Sequence, residues 1–92
     1  MAQMRTIREE KPVSQAIEEA KAKYPRIEEI YEGLAWRLAR EPEVGYQLPN
    51  VSPPTFIYKI QPTLTDQPAI SVLYRYSDDL VEILAIRISC QK

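Results

Sequence analysis

The chain has no histidine and a single cysteine, Cys90. The first absence removes the usual general base, the Ser-His and Cys-His nucleophile pairs and most zinc sites together. The second excludes an intrachain disulfide and any metal site built on cysteines. Cys90 stands near the chain end with no histidine to activate it, which argues against a nucleophile. Long apolar runs are missing too: the longest is Ile83 to Ile86, far short of the roughly 20 residues of a membrane helix. Residues 1–12 carry too much charge for a signal peptide, so a cytoplasmic protein without membrane contact is expected. Nor is there an excess of positive charge. A formal net charge of −1 and a pI near 5.5 leave no global field to draw the chain to nucleic acid. Contact with RNA or DNA has to be local, or supplied by a partner. No repeat or low-complexity tract is present, and no cofactor or metal site is offered.

What remains is ordinary globular material. The 92 residues, 45% hydrophobic and 27% charged, make one domain (1–92) with one core, burying roughly 60–65% of its unfolded surface. Three β-branched and aromatic runs, Thr55 to Ile60, Ala69 to Tyr76 and Leu80 to Ser89, read as strands. Ser77, Asp78 and Asp79 between the last two give hairpin spacing, and the two aspartates read as turn formers. Gln67-Pro68 marks the break before the second run, because proline removes a ladder donor. Met4 to Arg8 is a weaker strand candidate, ended by Pro12.

Between these lie two helical stripes. Val13, Ala16, Ile17, Ala20 and Tyr24 recur at helical spacing, with Ser14 as the expected N-cap and Pro25 as the terminator. Ile27, Ile30, Tyr31, Leu34, Ala35 and Leu38 form the second stripe, with Pro25 in its first turn and Pro42 and Gly45 closing it. The stretch from Glu41 to Pro54 holds prolines and a glycine and is expected to be an irregular connection. The sum is an α+β fold of two layers, β-α-α-β-β-β, with a helical hairpin packed on one face of a mainly antiparallel sheet.

Side chains alternate along strands, which sorts the residues by face. Phe56, Tyr58 and Ile60, then Ile70, Val72, Tyr74 and Tyr76, then Leu80, Leu84, Ile86 and Ile88 are the expected core sets, with Glu82 the lone polar member of the last. The opposite choice would bury Lys59, Arg75 and Arg87. These three cations are therefore expected together on the open face. They are either a solvated sheet surface or an anion site for phosphate or acidic side chains. Trp36 lies about 180° around its helix from the apolar stripe, among Glu29, Glu32 and Arg40. It is either an interface anchor or packed under the proline-rich connection.

The order of elements and several phrases resemble the RelE/ParE superfamily of type II toxin–antitoxin toxins. Glu41-Pro42-Glu43-Val44-Gly45 leading to Leu48 is similar to the family's post-helix segment, and Tyr58-Lys59-Ile60 to its second strand. Leu73-Tyr74-Arg75-Tyr76 with Asp78-Asp79-Leu80-Val81-Glu82-Ile83-Leu84 is similar to its final hairpin. The resemblance covers residues 14–89 and implies a small toxin neutralised by a cognate antitoxin, with DNA gyrase (ParE-like) or ribosome-bound mRNA (RelE-like) as target. Lys59 matches the first lysine of the RelE pattern. Gln61 stands where a second is expected, Ser71 where an arginine opens the next strand, and Gln91 near the last catalytic arginine. The resemblance thus implies a ParE-like or diverged member acting by protein binding. The residues that strand alternation and the helical wheel offer for that contact are Trp36, Lys59, Arg75 and Arg87; of these only Lys59 matches the family pattern. The alternatives are an unrelated α+β interaction domain and a ribosome-dependent endoribonuclease. In that last reading Lys59, Arg75 and Arg87 are catalytic, stabilising charge on the phosphate, and Tyr74 or Tyr76 moves the proton.

Overall fold

The computed structural model describes residues 4–60 and 68–89; Gln61, Gln67, Cys90 and Gln91, on which part of the sequence reading drew, lie outside them. The elements run β1 (Thr6–Glu9), α1 (Lys11–Ala20), α2 (Ile27–Arg40), a 3-10 turn (Pro42–Val44), β2 (Tyr46–Gln47), β3 (Phe56–Ile60), β4 (Ala69–Tyr76) and β5 (Leu80–Ser89). The strands form one mixed sheet in the order β1-β5-β4-β3-β2. Only β1 is parallel to its neighbour, β5; the other three pairings are antiparallel. Two helices and a five-stranded sheet make an α+β domain. Among the described residues no helix is long and apolar enough to cross a membrane.

The helices cover one face. Val13 and Ile17 of α1 and Ile27, Tyr31, Leu34, Ala35 and Leu38 of α2 pack with Ile70, Val72 and Tyr74 of β4 and Val81 and Ile83 of β5. Fully burying a side chain such as Leu38 or Ile83 contributes about 1.5–3 kcal/mol, and this cluster is the main source of stability. The N-terminal segment closes the layer. Thr6 donates its backbone N–H to the Asp79 carbonyl, and Arg5 donates to the Ala39 carbonyl, both at 3.0 Å. The Arg5 guanidinium also reaches the Ser77 carbonyl at 2.7 Å. The weak strand expected at Met4 to Arg8 is thus a paired edge strand, shifted to Thr6–Glu9.

Four expectations need correction. Pro12 does not separate strand from helix; it occupies the first turn of α1, where its missing N–H has no partner to lose. Ser14 consequently lies inside the helix, and Glu10 holds the N-cap position. At the other end α1 stops at Ala20, and Tyr24 belongs to a turn in which its N–H and that of Lys23 both bond the Ala20 carbonyl. Pro25 lies ahead of the second helix, whose N-cap is Arg26. The connection from Glu41 to Pro54 contains the 3-10 turn and the short strand β2, which pairs Tyr46 with Ile57 and Gln47 with Phe56.

The fourth correction concerns β5. Leu73 pairs with Ala85, but Tyr74 pairs with Ile83, so Leu84 is an extra residue, a bulge. Alternation changes phase there. Val81 and Ile83 are fully buried, Ile86 and Ile88 pack against the same core, and Leu80 and Glu82 share the other face. An unbroken strand would have carried Glu82 into the core with Leu84, Ile86 and Ile88. The bulge lets both halves of β5 bury their apolar residues and leaves the carboxylate outside.

Candidate functional site on the open sheet face

Directly opposed residues on paired strands project from the same face, so the register divides the uncovered face into rows. One row is Lys59, Ser71 and Arg87, running from β3 through β4 to β5. Neighbouring strands lie about 4.8 Å apart, which puts the Lys59 and Arg87 backbones about 10 Å from each other. Both side chains are long enough to close on one anion above Ser71. Both residues are exposed, and among the described residues neither has an ion-pair partner.

The next row is apolar: Tyr46, Ile57, Leu73 and Ala85. Ile57, Leu73 and Ala85 line, with Lys59, Ser71 and Arg87, a shallow groove of about 290 Å³. Tyr46, 67% exposed, stands at its β2 end. Beyond this row lie Arg75, Glu82 and Arg8 in register. Arg75 donates its Nε–H to Thr55 Oγ1 at 3.2 Å, and Arg8 reaches Glu82 at 3.9 Å.

The three cations singled out in the sequence therefore share one face but not one spot. Lys59 and Arg87 are brought together. Arg75 sits about 13 Å further along the strands, by four residues at about 3.3 Å each, and its row carries an acid. Trp36 stands apart from all of them, 60% exposed on the solvent side of α2, not under the connection.

Tyr74 and Tyr76 do not belong to this face. Tyr74 is fully buried; its hydroxyl donates to the Pro42 carbonyl and accepts the Gly45 N–H at 3.0 Å. Burial pushes its pKa up to about 12, although the Gly45 N–H favours the phenolate. A group so held is a clamp on the 3-10 turn and cannot deliver a proton to the cations across the sheet. Tyr76 stacks in the same aromatic cluster, its ring 5.1 Å from Phe56 and 6.3 Å from Tyr74, with the Arg5 guanidinium 5.7 Å over it.

Sequence reasoning missed Tyr46 and Arg8 as members of the open face; alternation along its strand placed Ser71 there, but not beside Lys59 and Arg87. A two-residue strand gives no periodic signal, and Arg8 was assigned to a strand of unknown partner. Among the described residues no group of acidic or sulfur side chains is arranged to hold a metal ion. In comparisons with known proteins, the chain matches no protein-family model, no curated protein and no solved structure.

Proposed function

We propose that this chain is a toxin-like module of the RelE/ParE kind, acting by protein binding, with Lys59 and Arg87 as its contact to an anionic group on the target. The reading is carried by one observation: two exposed cations without ion-pair partners among the described residues flank a small serine in a single row of the face the helices leave uncovered. Arginine and lysine are the side chains suited to grip carboxylate or phosphate. The α+β class, with two helices over one face of the sheet, is compatible with this reading.

A cognate antitoxin is the proposed partner, and gyrase or the ribosome the proposed target. The endoribonuclease reading is the weaker one. Its two proton-transfer tyrosines project from the helix-covered face, and among the described residues no other group of suitable chemistry stands beside Lys59 and Arg87. Electrostatic stabilisation alone leaves the nucleophile's proton without an acceptor.

Induced expression in a bacterial host tests the proposal. Growth arrest is expected, relieved by co-expression of the product of the adjacent small reading frame, and lost in the Lys59→Ala/Arg87→Ala double variant while that variant remains folded. Unimpaired growth at high levels of folded wild-type protein contradicts the toxin reading and favours the unrelated interaction domain. Arrest that survives the double substitution contradicts the role given to the two cations.

A further inference from the structure

Ile57, Leu73 and Ala85 stand in one register row of the uncovered sheet face, half-buried and with no described element over them. The buried cluster takes its β4 residues, Ile70, Val72 and Tyr74, from the other side of the sheet, so this aliphatic row lies outside the core. It floors a groove of about 290 Å³ whose lining continues into Lys59, Ser71 and Arg87. An apolar hollow and two cations without ion-pair partners among the described residues thus form one continuous surface. Covering the row and neutralising the cations are both left to something beyond the described residues.

The spacing of the two rows limits the form of an occupant. Ile57 and Lys59, Leu73 and Ser71, and Ala85 and Arg87 are each two residues apart on their strands, about 6.6 Å. An extended chain repeats this interval, because its residues i and i+2 project from one face. A carboxylate above Ser71 then brings the side chain two positions away over Leu73. Lys59 and Arg87 are suited to charge-assisted hydrogen bonds with such a carboxylate, and the Ser71 hydroxyl is a third donor. A second copy stacked face to face lacks the anion, since Glu82, the one carboxylate of the three rows, already faces Arg8. A single-stranded nucleic acid is held by aromatic platforms along a cationic track. Here the floor is aliphatic, and Tyr46 at its edge is the one aromatic of the rows.

We propose that the open face binds an extended segment of a partner protein that carries an acidic and an aliphatic residue two positions apart. The aspartate or glutamate bridges Lys59 and Arg87 above Ser71, and the aliphatic side chain fills the groove over Ile57, Leu73 and Ala85. The inference rests on the assignment of the two cations as the anion contact and adds what the anion is and what it is attached to.

The test is an amide chemical-shift titration of the labelled full chain with peptides blocked at both ends. The probes are Ser-Glu-Ser-Leu-Ser and its reverse, each with a glutamine-for-glutamate and a serine-for-leucine control, and a short oligonucleotide. Saturable shifts in both rows are expected with at least one order of the leucine peptide. Affinity is expected to fall about tenfold with glutamine and about fivefold with serine in place of leucine. Leu73→Thr, which removes the floor of the groove and keeps a β-branched residue in the strand, is expected to weaken the leucine peptide severalfold. It should leave the oligonucleotide shifts at Lys59 and Arg87 in place, with the amides of the buried cluster unmoved. Equal affinity of the serine control, or no effect of Leu73→Thr, overturns the proposal. So does an oligonucleotide that moves the cation row when no peptide does, and the assignment of the two cations then still stands. Absence of shifts at Lys59 and Arg87 with every probe overturns both.

Discussion

Tyr74 ties two distant parts of the chain through one oxygen. Its hydroxyl is held between the Pro42 carbonyl and the Gly45 N–H, so the turn after α2 is fastened to the middle of the sheet. Gly45 is required by space and not by backbone angle: a Cβ there would lie 2.2 Å from Tyr74 Oη. Gly45→Ala is expected to cost roughly 1–3 kcal/mol by overpacking, measured by denaturant unfolding. A second outcome follows from charge. The neutral phenol is favoured in the folded state, since the folded pKa of about 12 exceeds the ordinary value of 10.0. The associated stability is complete below pH 10 and is lost as pH rises toward 12. Tyr31 is shifted in the same direction and acts in the same sense. Unfolding free energy is therefore expected to decline above pH 10, and to decline less in Tyr74→Phe. None of this was legible in the sequence, because 29 residues separate Gly45 from Tyr74 and nothing local announces their contact.

At the scale of elements, composition carried far. The bounds of β4 and β5 coincide with the β-branched runs, and the α2 stripe from Ile27 to Leu38 is the buried one, apart from Ile30 at its margin. Where local signals had two meanings, the reading failed. Pro12 is compatible with both the end of a strand and the first turn of a helix, and the tertiary pairing of β1 decided between them. Leu84 shows a different limit. Alternation is a local rule, whereas the bulge is set by which residues the helices cover, with Val81 and Ile83 inside before it and Ile86 and Ile88 inside after it. Deleting Leu84 would force one half of β5 to present its polar set to the core. A loss of about 3 kcal/mol or more is expected, read as a fall in the urea midpoint. A variant as stable as wild type would show that the phase change is incidental.

For the whole molecule, the two layers give two surfaces of opposite sign: cations on the bare sheet face and carboxylates between the helices and β1. The near-zero net charge conceals this separation, which is why composition alone showed no global field for an anionic partner. The sequence did place Lys59, Arg75 and Arg87 on one face, because burying them would be costly. It could not group them, since that needs the strand register. Register joins Lys59 to Arg87 through Ser71 and sends Arg75 to the row of Glu82. Removing both row cations is expected to change stability by no more than about 0.5 kcal/mol, as for exposed side chains generally. The most direct measurement is an amide chemical-shift titration of the labelled protein with a short oligonucleotide as polyanionic probe. The largest shifts are expected at Lys59, Ser71 and Arg87, diminishing with salt and absent in Lys59→Ala/Arg87→Ala. Shifts centred on Arg75 or off the open face, or none at all, would contradict the account.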